Sequence, residues 1–208
     1  MSDHTDDSMC CPWSEREAQL LAITLELLQE HGYDRLSVDA VAAKAKASKA
    51  TMYRRWPSKA DLVLAAFIEG TRATATPPHT GSLRGDLLEI GRGTCEQTQE
   101  HMRTLRAVLN EMTRNPALQE VMQEQFVRQR RSVFESVLAD AAKRGEIPSS
   151  TIHEELFDLM PGYLVFRSVV CDRPPTDETV EAVVDRVLIP LLKAGQSSNA
   201  AQSGAGTT

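Results

Sequence analysis

Cysteine is scarce in this sequence, with four residues in 208. Cys10 and Cys11 are adjacent while Cys95 and Cys171 stand alone, so no pair has zinc-ligand or redox CxxC spacing. A chain of this length buries a core without disulfides or metals, which excludes the small disulfide-knotted folds. Free thiols in a reducing compartment are the plain reading, with the Cys10/Cys11 pair a secondary candidate for redox sensing. Long apolar runs are also missing. The longest is Leu62 to Ile68, seven residues against the roughly 20 of a membrane span. The acidic start, with Asp3, Asp6 and Asp7 and no Lys or Arg, does not read as a signal peptide. These absences predict a cytoplasmic protein with no membrane partner.

Enzyme signatures are absent as well. His153-Glu154-Glu155-Leu156-Phe157 lacks the second His of a zinc-protease motif, no G-x-S-x-G or Gly-rich phosphate loop occurs, and the five His are dispersed. No catalytic set, metal site or cofactor is expected. Nor is there a segment of four or more alternating apolar positions bounded by hairpin signals. The fold class is therefore all-α.

What is present is uneven charge. The formal net charge is −6, yet Lys44, Lys46, Lys49, Arg54, Arg55 and Lys59 fall in one window without an acid. That window carries +6 and the remainder −12. One small face is suited to a polyanion. A run of cations on helices is ordinarily a solvated face, and its placement here argues otherwise.

Ser14 and Glu17 form a capping box with Trp13 as a staple, opening a helix that carries Leu20, Ile23, Leu27 and Leu28 to Gly32. A short helix behind Ser37 keeps Val38, Val41, Ala42 and Ala45 on one face, and another behind Ser48 ends near Trp56, before Pro57. Ser58 with Asp61 opens a fourth helix, which runs to a break at Thr71 to Gly81. Further helices are expected over 82–99, 101–114, 117–144, 151–171 and 177–193. The last repeats apolar residues from Val180 to Leu192 at i, i+3, i+4, i+7. The domain reading is a disordered arm over 1–12, a helical domain over 13–58 and a second over 59–194, to which the resemblance described below assigns DNA binding and ligand binding with dimerisation respectively, and a disordered tail over 195–208.

Helix starts attract acids because the macrodipole is positive there, as at Glu15/Glu17, at Glu154 behind Thr151, and at Asp177/Glu178. Two starts carry lysine instead: Lys49 behind Ser48 and Lys59 behind Ser58. Each opposes the dipole by about 0.3–1 kcal/mol, a penalty that a bound phosphate would remove. At about 100° per residue, Ser48, Met52 and Trp56 share the inner face of the third helix. Ala50 and Arg54 lie opposite, flanked by Thr51 and Tyr53, and Arg55 sits at the seam, placed to brace the helix or to touch a rim phosphate. A small residue, hydroxyls and a guanidinium on one face suit base edges and phosphates.

The run YDRLSVDAVAAKAKASKATMYRRWPSKADLVLAAF, Tyr33 to Phe67, resembles the helix-turn-helix of the tetracycline-repressor (TetR) family of transcriptional regulators. The shared pattern is Val38, Val41-Ala42, Ser48-Lys49, Thr51, Tyr53 and the Trp56-Pro57-Ser58-Lys59 junction. Weaker phrases, Gly81 to Asp86 and Arg144 to Ile147, are similar to the same family. The resemblance implies a homodimer joined by its last two long helices, within residues 151–193, a palindromic double-stranded operator, and release by a small-molecule effector. It also implies that Ser37, Tyr53 and Lys59 hold phosphates while Lys49, Ala50, Thr51 and Arg54 face bases, with Ser48 at the helix start. One departure stands out. Lys46 takes the turn position that is usually Gly, where a positive φ would oppose a side chain by about 1 kcal/mol, while its ammonium can reach the DNA backbone.

Met102, Leu105, Met122, Phe126, Met160, Tyr163, Phe166 and Arg167 supply large apolar surface and one cation to helices expected to meet. They are the candidate lining of an effector pocket, although most serve a core in any case. Pro161-Gly162 interrupts their helix, and Arg167 is expected to pair with an acid such as Asp158 or Glu89, or to await an anion. Two competing readings remain open: an all-α carrier or enzyme without operator binding, and a DNA-binding protein whose C-terminal helices only dimerise or dock a protein.

Overall fold

A computed structural model describes residues 13–194, the side chains of residues 73 and 74 excepted. The readings placed on 1–12, with Cys10 and Cys11, and on 195–208 lie outside the described residues. All regular structure among the described residues is helical. The chain divides between Gly70 and Thr71 into two compact units.

The first unit holds α1 (Glu15–Arg35), α2 (Val38–Lys44), α3 (Lys49–Arg55) and α4 (Lys59–Gly70). The capping box forms as expected, with Ser14 N donating to Glu17 Oε2 at 2.8 Å and Glu17 N to Ser14 Oγ at 3.3 Å. Gly32 interrupts α1 at the position expected. It takes φ 76°, ψ 169°, a conformation almost confined to glycine, and one further turn follows before Leu36. The ring of Trp13 lies 5.9 Å from that of Trp56, the residue that ends α3.

Every residue from Leu62 to Ile68 is buried, and α4 packs along α1. The domain line drawn at residue 58 falls inside this unit, whose end at Gly70 adjoins the break between layers expected over Thr71 to Gly81. An amphipathic α1 needs α4 to cover its apolar face.

The second unit holds α5 (Leu83–Met112), α6 (Pro116–Val121), α7 (Arg128–Lys143), α8 (Leu156–Val165) and α9 (Asp177–Val183). The helices expected at 82–99 and 101–114 meet within α5 at a kink, where His101 leaves the helical range with φ −109° and ψ 17°. The expected helix over 117–144 is a run of α6, a π-turn at Met122–Val127, and α7. Thr151 opens no helix. Its hydroxyl donates to Pro148 O (2.7 Å) and lies 3.0 Å from Leu192 O, while α8 starts only at Leu156. Glu154 is therefore not a first-turn acid and pairs with Arg131 at 2.7 Å.

One core joins Leu83, Leu87 and Leu88 of α5 to Phe134 and Leu138 of α7, Met160 and Leu164 of α8, and Val180 and Val184 of the last helix. Gly91 sets its spacing: a Cβ there would lie 2.3 Å from Val180 Cγ1 and 3.2 Å from Met160 Sδ. Only a bare backbone lets α5 and α9 come so close. The two weaker phrases singled out in the sequence meet here. Buried Asp86 accepts hydrogen bonds from Thr80 N (2.7 Å), Thr80 Oγ1 (2.8 Å) and Arg144 Nη2 (3.3 Å), and Glu146 Oε2 accepts from Leu83 N at 2.9 Å.

Candidate nucleic-acid interface

Ser37 caps α2, accepting from Ala40 N at 3.1 Å, and Val38, Val41 and Ala42 turn the helix inward. Arg16 donates to Ala45 O, tying the end of α2 to α1. The turn that follows is a Schellman motif: Ala47 N bonds to Ala42 O at 2.8 Å and Lys46 N to Ala43 O at 3.2 Å. Lys46 has φ 51°, the left-handed conformation anticipated for that position. Lys46→Gly is expected to raise unfolding stability by about 0.5–1 kcal/mol, read by urea denaturation.

The turn delivers α3 with Met52 and Trp56 buried beneath it and Ala50, Thr51, Tyr53 and Arg54 exposed above. Tyr53 keeps 48% of its surface in water, unusual for a ring that has apolar neighbours available. Ser48 departs from its inner-face assignment. It is exposed and makes no side-chain cap bond, so its hydroxyl faces solvent at the start of α3.

Four of the six cations in the basic window have protein partners. Lys44 Nζ lies 2.8 Å from Glu26 Oε1, Lys49 Nζ 2.6 Å from Asp39 Oδ2, and Arg55 Nε 2.6 Å from Glu17 Oε1. Arg55 also stacks 4.7 Å over the Trp13 ring, which makes it a brace between α3 and α1. Hydrogen bonding from Ser14 N–H, helped by Arg55, holds the Glu17 carboxyl below the usual carboxylate range.

Lys59 is the largest departure. Its ammonium donates to Tyr33 O at 2.9 Å and lies 4.2 Å over the Tyr33 ring, while Asp61 bonds Ser58 N and Oγ. The ammonium of the expected phosphate seat is thus engaged by the protein's own groups. Lys46 and Arg54 have no ion-pair partner among the described residues. None of these partners was visible in the sequence, because Asp39, Glu17, Glu26 and Tyr33 lie 10 to 38 positions from the cations they meet.

The eight candidate pocket residues are scattered through the second unit. Met102 lines a cavity of about 380 Å³, together with Gln99 of α5, Ser168, Asp172 and the segment 174–176. Leu105, Met122 and Met160 are buried packing residues. Phe126 is half-buried beneath Arg130, a guanidinium that donates to Thr71 O and to Gln97 Oε1 (3.1 Å) and that burial pushes down to about 10. Tyr163 and Phe166 are exposed on α8 and the π-turn that extends it. Arg167 pairs with neither Asp158 nor Glu89. It donates to Tyr163 Oη at 3.3 Å and lies over that ring, because both sit one turn apart on the same face.

No group of three or more His, Cys, Asp or Glu side chains with metal-binding geometry occurs among the described residues. No helix among them is long and apolar enough to cross a membrane.

Comparison with known proteins addresses both units. "Bacterial regulatory proteins, tetR family" matches residues 20–66, and "Tetracyclin repressor-like, C-terminal domain" matches residues 77–187. An HTH-type transcriptional regulator of Mycobacterium tuberculosis, Rv1556, is 61% identical over 87% of this chain and 90% of its own. The DNA-binding transcriptional repressor TetR of Mycobacteroides abscessus is 33% identical over 86% of this chain and 95% of its own. Among solved structures, the TetR family transcription regulator SCO0332 superposes with a TM-score of 0.74 at 28% identity, covering 84% of this chain and 97% of that one. A helix-turn-helix unit, a helical C-terminal unit and these similarities place the chain in the TetR family of HTH transcriptional regulators, a non-enzymatic family.

Proposed function

We propose that this regulator is a homodimeric repressor that lays α3 in the major groove of each half of a palindromic operator and leaves it when a small, largely apolar effector binds. The observation that carries the reading is the outer face of α3. Ala50, Thr51, Tyr53 and Arg54 are all exposed there, with Lys46, Ser48 and Lys49 at its leading end. In this reading Lys49, Ala50, Thr51 and Arg54 face bases, while Ser37, Tyr53 and Lys46 contact phosphates. Arg55 and Lys59 serve mainly to hold α3 and α4 against α1.

Dimerisation is supported by an apolar seam. Leu159, Tyr163, Phe166 and Val170 are exposed at alternating spacings of four and three, and Val187 and Leu191 are exposed on the last helix. Repression is supported by the name of the Mycobacteroides abscessus relative. The cavity beside Met102, with a volume in the range of small-molecule sites, supports an effector.

Selection of bound fragments from random DNA is expected to return a palindrome, with binding that weakens steeply as salt rises. A carrier would show no preference among duplexes. A purely docking C-terminal unit would leave the melting temperature unchanged by every apolar ligand tried.

A further inference from the structure

The cation at the tip of α3 is not open to any phosphate that approaches. Lys49 Nζ sits 2.6 Å from Asp39 Oδ2, and both side chains are more than half exposed, so the pair faces outward from the helix-turn-helix. Asp39 belongs to α2, two residues after the cap Ser37, and stands just ahead of a window that otherwise contains no acid. A lone carboxylate beside a DNA-binding surface opposes the polyanion it must meet. Its position against the leading lysine gives that opposition a use.

We infer that Asp39 is a specificity-determining residue: its ion pair with Lys49 withholds the lysine from bare phosphates and presents carboxylate and ammonium together to base edges. Non-specific DNA offers this end of the protein phosphate oxygens alone. To reach one, Lys49 must leave Asp39 and the phosphate must approach a carboxylate. A G·C pair in the major groove offers both complements, acceptors at guanine O6 and N7 for the ammonium and the cytosine N4 amino donor for the carboxylate. An exposed ion pair is worth up to about 1 kcal/mol, so the tax on phosphate binding is close to five-fold, small enough to leave function intact. The inference rests on the DNA-binding reading above and concerns how that site discriminates.

The test compares the full-length wild type with Asp39→Asn on two duplexes, the palindrome recovered by selection and a scrambled duplex of the same composition. Asp39→Asn is expected to bind the scrambled duplex about five-fold more tightly per subunit, with a salt dependence steeper by about 0.9 per subunit as one more cation reaches phosphate. Its affinity for the palindrome stays level or falls, so the ratio between the two duplexes drops at least five-fold. In a Lys49→Ala background, Asp39→Asn is expected to change scrambled-duplex affinity less than two-fold. Equal tightening on both duplexes, or full tightening without Lys49, would mean that removing a negative charge acts generally and would overturn the role of Asp39 alone. Failure of the wild type to bind any duplex would overturn the DNA-binding reading and this inference with it. Matched melting temperatures of the variants confirm that folding is not what changes.

Discussion

A protein carrying Phe166→Asp is expected to sediment as a monomer and to bind a palindromic duplex about 10²–10⁴-fold more weakly than the parent. Phe166 keeps 54% of its surface exposed at the middle of the seam formed by Leu159, Tyr163 and Val170. In a two-fold interface the substitution occurs on both sides, so two carboxylates would be buried in an apolar contact, facing one another. The DNA effect follows from linkage. When one half-site is bound, the second recognition helix of a dimer is held at an effective concentration set by the scaffold, and a monomer loses that gain entirely. Val127→Asp is the control, since Val127 is also apolar and exposed but lies outside the seam. Analytical ultracentrifugation and a duplex titration decide the matter. A Phe166→Asp protein that remains dimeric would move the interface elsewhere.

The second large effect is expected at Asp86, whose side chain is almost wholly removed from water. Asp86→Ala takes away the acceptor of three hydrogen bonds and leaves Thr80 N–H and one arm of Arg144 without a carboxylate. Deleting one partner of a buried, hydrogen-bonded charge is destabilising by about 3 kcal/mol, which lowers the melting temperature of a unit this size by about 6–12 °C. Arg144 is only partly buried and keeps Glu146 Oε1 at 2.6 Å, so the loss stays near the lower end of the range for such pairs. Asp86→Asn retains an acceptor for Thr80 and is expected to lose roughly half as much. A calorimetric scan in which both variants melt with the parent would show that Thr80 and Arg144 find other partners.

What the sequence disclosed is what local rules govern. The capping boxes at Ser14 and Ser58, the inward faces of α2 and of the last helix, and the positive φ at Lys46 all follow from residues a few positions apart. The exposed face of α3 was legible for the same reason, since Met52 and Trp56 fix which side is turned in. The departures arise where distant segments meet. Trp13 meets Trp56, Lys59 turned to the Tyr33 carbonyl, and Lys49 found Asp39, all contacts that no helical period encodes. The π-turns were missed because hydrophobic patterning reports which residues are inside, not whether one extra residue is accommodated in a turn. The dispersed pocket candidates show the same limit: large apolar residues line a cavity and fill a core with equal facility.

The notch at Gly91 orders events during synthesis. The first unit is made from four helices that are neighbours in sequence. The second has Gly91 waiting for Val180, Arg84 for Asp185 and Thr151 for Leu192, so α5 carries an open furrow until the final helix is translated. Long-range closure of this kind is slow and leaves apolar surface uncovered meanwhile. A chain released before the final helix is made would carry that furrow uncovered and be the natural client of a chaperone.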